Sequence, residues 1–317
     1  MKLRALCVLL YLMVASAHAA YPEKPIRFIL PSASGGSVDI LMRILTEQMS
    51  KQMGQPFIVE NKPGGSFVPG TMDIVKAAPD GYTLGYGNIV SLATNKYLLP
   101  NIPYDVEKDL TLISNCVVVF NMLAVSPSLP VKTVAELIDY AKKNPGKLSN
   151  GSSGNGTTGH LGGELFKHMA GVNIVHVPYK GSAQAINDLM SGNIQVMFDN
   201  VPSIGPHAKA GRVRALGVSS PKRAATMPDV PAISETVPGY ETDSWGGVIG
   251  PARLPREIVT RLHAEIRKAL AAPSVQERYR QLETEADGGT PEEFLARVKR
   301  EQPKWEQVIK RSGAKVD

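Results

Sequence analysis

The chain has 317 residues, with 35 Lys or Arg against 29 Asp or Glu and a formal net charge of +6. Acidic and basic residues interleave, as in Arg256-Glu257, Glu265-Arg267 and Glu277-Arg278, so no basic stripe is present to neutralise a phosphate backbone, and nucleic acid is not expected as a partner. Only Cys7 and Cys116 are present, and Cys7 falls in the N-terminal apolar segment, which leaves no internal disulfide and no cysteine cluster for a metal.

Lys2 and Arg4 precede an apolar stretch running from about Ala5 to Ala15, and Ala17-His18-Ala19 supplies the small-x-small pattern read by signal peptidase. Residues 1–20 are therefore expected to be a signal peptide cleaved near Ala19 or Ala20, which sends the mature chain to the periplasm. The apolar run is shorter than the ~20 residues that cross a bilayer. A mature chain of this size suggests about two domains.

Residues 27–30 read as a strand, Pro31 to Ser37 as a tight turn, and the following run to about Met53 as a helix with Val38, Leu41, Met42, Leu45 and Met49 on one face. Gly54 stops it, and residues 57–60 form the next strand. Strands are expected at 82–86 and 112–124, and Thr133 introduces a helix over 134–143. Cys116, inside the apolar run 112–120, reads as a small buried hydrophobe. The pattern then recurs: strand 147–150, a Gly-rich turn from Gly151 to Thr158, helix 160–169, a stop at Gly171 and strand 173–177. Later strands are expected at 194–198, 214–218 and 244–249. Proline at 228, 231 and 238 argues for irregular chain over 221–238, and helices follow at 255–272 and 291–310.

Two βαβ units imply an α/β protein with parallel sheet. A return of the chain to its first half divides it into one lobe of residues 21–122 and 246–317 and a second of residues 123–245. Hinge strands are placed near 121–124 and 243–247, and the ligand cleft lies where loops leave the carboxyl ends of strands.

Each Gly-rich turn opens a helix, whose first N–H groups are unpaired and carry partial positive charge. Glycine permits the left-handed backbone and close approach, and Ser34, Ser37, Thr157 and Thr158 add hydroxyl donors. Two such ends facing one cleft could hold a carboxylate, or both ends of a diacid, without Arg or Lys. Either turn alone is equally well read as an N-cap; their equivalent positions favour a shared site. Gly154 to Gly159 matches G-x-G-x-x-G, but Val177-Pro178-Tyr179-Lys180 stands where a ribose-binding acid is required, so a nicotinamide or flavin cofactor is not expected. No G-x-S-x-G elbow is present. His160 reads as a capping or packing residue, and His168, His176, His207 and His263 are scattered singly, so neither hydrolysis nor metal catalysis is indicated. Asp39 suits the first-turn dipole of its helix. Asp199 follows a strand and points either into the cleft or to solvent, Asn88 and Ser91 sit at another strand end, and Tyr179 and Trp245 either stack on a ligand or pack as core.

These same residues, with Tyr21-Pro22-Glu23-Lys24-Pro25-Ile26-Arg27, Val59-Glu60-Asn61-Lys62-Pro63-Gly64, Pro79-Asp80-Gly81-Tyr82-Thr83-Leu84, Pro228-Asp229-Val230-Pro231 and Trp305, make the chain resemble the Bug/TctC family, the extracytoplasmic receptors of tripartite tricarboxylate transporters. The resemblance covers nearly the whole mature chain. It implies a periplasmic-binding-protein type II fold, two lobes with a ligand cleft and two hinge strands. It further implies a monomer without cofactor or catalysis, delivering a small aliphatic or aromatic mono- or dicarboxylate to integral-membrane transporter subunits. Carried over by position, the ligand residues are Ser34, Gly35, Gly36, Asn88, Ser91, Gly156, Thr157, Thr158 and Asp199. Ser32-Ala33-Ser34 departs from the Pro or Gly that many members carry before the Gly-Gly pair, so the identity of the carboxylate does not transfer. The competing expectations are a carboxylate-sensing periplasmic partner of a membrane signalling receptor and a periplasmic enzyme using the same cleft.

Overall fold

The computed structural model describes residues 21–224, 227–312 and 314; the expected signal peptide lies outside the described residues. The first half opens with β1 (Ile26–Leu30), α1 (Ser37–Met53) and β2 (Phe57–Asn61), then α2 (Val68–Val75) and β3 (Thr83–Asn88). A π-helical turn, Val90–Thr94, and the short α3 (Asn95–Leu98) and α4 (Val106–Asp109) lead into the long β4 (Leu110–Val125). After α5 (Val134–Lys143) come β5 (Leu148–Ser152), α6 (Thr158–Ala170), β6 (Ile174–Pro178), α7 (Ser182–Ser191), β7 (Val196–Asn200), α8 (Val201–Lys209) and β8 (Arg214–Val218). The chain closes with β9 (Asp243–Pro251), α9 (Arg256–Leu270), α10 (Pro273–Gln281), β10 (Thr284–Ala286) and α11 (Pro291–Ser312).

The two βαβ units fold alike because their sequences punctuate alike. α1 ends at Gly54 and α6 at Gly171, both left-handed (φ 71° and 64°) and both donating the N–H back to a carbonyl of the last turn. β1 lies between β2 and β3 with both pairings parallel; β5 likewise lies between β6 and β7. The full order is β2-β1-β3-β9-β4-β7-β5-β6, with β8 and β10 also on β4. The fold is α/β, two lobes joined through a curled mixed sheet.

β4 is the member common to both lobes. From Leu110 to Phe120 it pairs antiparallel with β9, and from Asn121 to Val125 with β7 and β8. Its side chains alternate through four cores: Ile113, Val117 and Val119 on one face of the first half and Leu112 and Val118 on the other, then Leu123 and Val125, and Met122 and Ala124, on the two faces of the second. Both faces are covered, so the strand reads as one nearly continuous apolar run. Ser219 ties the crossing together: its Oγ accepts from the Asn121 N–H and donates to the Thr242 carbonyl just before β9. Trp245 is fully buried, packed edge-on against Phe294 of α11 at 6.1 Å, and so belongs to the core. Beside it Arg297 pairs with Asp243 and Asp287. Cys116 is buried, and burial pushes its thiol up to about 12.

The elements missed by periodicity are α2, α3, α4, α7, α8, α10 and β10. α8 carries Pro202 and Pro206 in a nine-residue helix, a composition that reads as loop. Among its described residues, the expected irregular region over 221–238 holds one 3-10 turn, Ile233–Glu235.

β9 meets β4 where β4 is bulged, and at Gly247 a Cβ would lie 1.9 Å from the Ser114 carbonyl oxygen. Gly247→Ala must push the two strands apart, and urea unfolding is expected to show a loss of about 1–3 kcal/mol or more from overpacking; an unchanged midpoint would contradict this close approach.

Candidate functional site

A cavity of about 520 Å³ lies between the lobes. Its walls come mainly from the carboxyl ends of parallel strands: residues 31–34 and 36–38 after β1, 63–67 after β2 and 88–90 after β3 on one side, and 153–155, 157 and 158 after β5, 178–184 after β6 and 199–200 at the end of β7 on the other, with Ser244 of β9 between them. Strand ends of this kind are where open α/β sheets bind ligands. The turns that open α1 and α6 thus border one space from opposite lobes.

The first turn is built around Asp39. Its carboxylate accepts from the Gly35 N–H (3.0 Å), Arg43 Nε (2.9 Å), Asn61 Nδ2 (2.9 Å) and Ser34 Oγ (3.4 Å). Burial opposes its ionisation, but the hydrogen bonds from Arg43, Gly35 and Asn61 outweigh that and hold it below the usual aspartate range. Asp39 therefore does more than complement the helix dipole: it fixes the turn whose Gly35 sits at φ 79°. The N-terminus of α1 has no side-chain cap, so its amides are not consumed locally in that way.

The second turn is held differently. Thr157 caps α6, its Oγ1 accepting from the His160 N–H at 3.4 Å and donating to the Gly154 carbonyl at 2.7 Å. The Gly156 N–H donates to His160 Nδ1 at 3.1 Å. The His160 ring stacks on His176 at 3.8 Å between centroids, and His176 Nε2 is 2.7 Å from Ser152 Oγ, which donates to the Gly154 carbonyl. Burial, together with the neighbouring ring, lowers His160 to about 3, and burial lowers His176 to about 4, so both rings are neutral at ordinary pH. Single positions in the sequence thus become a stacked pair, because the β5–β6 pairing brings His176 opposite Asn150, two residues before Ser152.

Of the residues expected in the site, Ser34, Gly36, Asn88, Thr157, Thr158 and Asp199 line the cavity. Gly35, Ser91 and Gly156 do not, each for a local reason. Gly35 is turned into the hydrogen bond with Asp39. Ser91 is buried behind Asn88, its Oγ accepting from the Asn88 N–H while Asn88 Oδ1 accepts from the Val90 and Ser91 N–H groups. Gly156 faces the other lobe: Thr94 Oγ1 donates to its carbonyl at 3.3 Å, and a Cβ there would lie 2.7 Å from Leu98.

Asp199 is 2 % exposed, with Oδ2 buried and without a hydrogen-bond partner. Burial pushes its carboxyl up to about 7, against hydrogen bonding from Ser182 and the Asn200 N–H, which favour the anion. The other ionisable side chains on the wall are Lys180, which is exposed, and Tyr179, whose hydroxyl donates to Asp188 at 2.6 Å. Burial first and then Asp188 raise that phenol to about 12. Tyr179 keeps its ring on the cavity wall, whereas Trp245 does not reach it.

Two wall segments escaped the sequence reading, 63–67 and 180–184. Both follow edge strands of the βαβ units and both contain glycine, the signal that marked the first two turns. In the former, Gly64, Gly65, Ser66 and Phe67 all have positive φ, and Asn95 Nδ2 donates to the Ser66 carbonyl at 2.7 Å to hold this strained backbone. The lobes also touch directly: the Ser37 N–H donates to Ser203 Oγ at 3.0 Å, and Asn200 Nδ2 to Ser37 Oγ at 2.9 Å. Among the described residues no group of three or more His, Cys, Asp or Glu could hold a metal, and no helix is long and apolar enough to cross a membrane.

Comparison with known proteins places this geometry in a family. The structure is similar to that of the R. palustris protein Rpa4515 with adipate, 38% identical, with a TM-score of 0.91 over 93% of this chain and 100% of that one. It is also similar to the periplasmic binding protein BugD (33% identical, TM-score 0.88, 93% and 99% covered) and to MatC from Rhodopseudomonas palustris with bound malate (27% identical, TM-score 0.86, 91% and 100% covered). The model of the tripartite tricarboxylate transporter family receptor, TctC, matches residues 41–314, and the chain belongs to that family of solute-binding receptors.

Proposed function

We propose that the protein is a periplasmic receptor that closes its lobes on a small organic carboxylate and delivers it, chemically unchanged, to the membrane subunits of a tripartite tricarboxylate transporter. One observation carries the reading: two turns that open helices, one from each lobe, border a single cavity whose wall is otherwise made mostly of neutral groups. Helix starts supply positive potential and amide donors without the desolvation cost of a buried cation. In this reading Ser34, Gly36, Asn88, Thr157, Thr158 and Asp199 contact the ligand, while Gly35, Ser91 and Gly156 shape the turns that do. The lobes divide at 122/123 and 245/246, the unit is a monomer, and closure is completed by the contacts of Ser37 with Asn200 and Ser203. The adipate and malate seen in relatives make dicarboxylates the first ligands to try.

The test is a thermal-unfolding panel of mono-, di- and tricarboxylates against the purified mature chain. A true ligand at 100 times its Kd stabilises the fold by about 2.7 kcal/mol, and mass spectrometry should recover it intact after long incubation. A panel that shifts nothing sinks the receptor reading, and turnover of the bound acid sinks the assignment as a carrier.

Thr157→Val removes both hydrogen bonds of the α6 cap. Calorimetric titration with the best ligand of the panel is expected to show affinity weakened about tenfold, as for loss of a hydrogen bond to a charged group, with stability lower by about 1 kcal/mol. Unchanged affinity would remove the second turn from the site.

A further inference from the structure

Asp199 is an acid where an anion-binding cleft has least use for a negative charge. It is almost wholly buried on the cavity wall, and Oδ2 has no hydrogen-bond partner. It shares that wall with the second anion-attracting turn, since Thr157, Thr158 and Asp199 line one cavity, and with Ser182 at the start of α7, which hydrogen-bonds it. A carboxylate drawn to the start of α6 therefore occupies the cavity that Asp199 also borders.

The elements packed around Asp199 offer it no cation. β4 sets Met122 opposite it. α6 presents Thr158 and the neutral His160, and its Glu164 and Lys167 are paired with each other. α7 begins with Ser182 and commits Asp188 to Tyr179. α8 carries His207 and Lys209 only in its last turn. Across the cleft, Asp39 of α1 is bound by Arg43, and Lys180 on the wall is exposed. Two carboxylates side by side in such surroundings cannot both stay ionised, and one proton between them turns repulsion into a charge-assisted hydrogen bond that also satisfies Oδ2.

We propose that Asp199 enters the bound state protonated, so that capture of a carboxylate takes up one proton, held between Asp199 and the ligand. This inference rests on the receptor reading. It makes the cleft selective for acids that can share that proton and makes affinity rise as the medium becomes more acidic. The sign follows from linkage: the bound form holds a proton that the free form loses above about 7, so affinity falls as pH rises through that value.

The experiment is calorimetric titration of the mature protein with adipate, and with succinate as a second probe, from pH 6.5 to 8.5 in pairs of buffers with different ionisation enthalpies. The expected result is affinity falling about tenfold per pH unit above about 7, with uptake approaching one proton per ligand bound. Asp199→Asn keeps a donor at the site but cannot ionise, and it should bind with no pH slope and no proton uptake. Wild-type affinity that is flat across the range, or a variant that keeps the slope, overturns the proposal. If the variant binds neither acid, the wild-type proton count decides by itself. Binding of neither acid by the wild type at any pH, when another carboxylate on the panel does bind, moves the titration to that ligand. Silence across the whole panel is the separate failure of the receptor reading.

Discussion

The turns that open α1 and α6 must hold their shape at the edge of one cavity, and much of the surrounding structure serves that requirement. A tight glycine turn gains no rigidity from its own side chains, so neighbours supply it. On the first lobe the support is ionic, with Asp39 gathering the Gly35 amide, Arg43 and Asn61 about one buried carboxylate. On the second it is neutral, a stacked imidazole pair reaching from Ser152 to the Gly156 amide. The contrast is physical: each lobe reaches the same local geometry through different chemistry, and only the backbone arrangement is shared.

The sheet explains why the turns face one another. Each βαβ unit sends its loops out at the carboxyl ends of its strands, and β4, bulged along its length, passes from one lobe into the other as a single strand. With the two sets of strand ends fixed relative to a common strand, the loops converge without depending on long flexible connections. Ser219, joined to Asn121 and Thr242, fixes the place where the two crossing segments pass. Ser37, Asn200 and Ser203 then join the lobes at the cavity itself.

Much of this was legible in the sequence because its signals are local. Gly54 and Gly171 stop helices by left-handed caps, Thr133 caps α5 with its hydroxyl, and the apolar spacing of α1 states its buried face. What escaped depends on partners distant in sequence. The Val90–Thr94 π-turn is held by Asn88 from before it and by Tyr104, whose hydroxyl donates to the Ser91 carbonyl. α8 tolerates Pro202 and Pro206 because it packs on β4 and β7. Asp199 could be placed at a strand end but not on either side of the sheet surface, since that depends on the register with β4. Gly156 was legible as a turn residue, yet its contact with Leu98 belongs to the other lobe and leaves no trace near it in the chain.

The pairing of β3 with β9 bears on the order in which the molecule can be made. β9 follows β3 only after the entire second half has been synthesised, whereas β5, β6, β7 and β8 find their partners within one continuous stretch beginning at Asn121. A chain emerging N-terminus first, from a ribosome or a membrane pore, therefore has every strand of the second lobe available while β3 and the first part of β4 still lack their partner β9. Those edges invite wrong pairing until the last segment arrives. The lobe begun first is completed last, and protection of its open edge in the interval becomes a requirement on whatever handles the nascent chain.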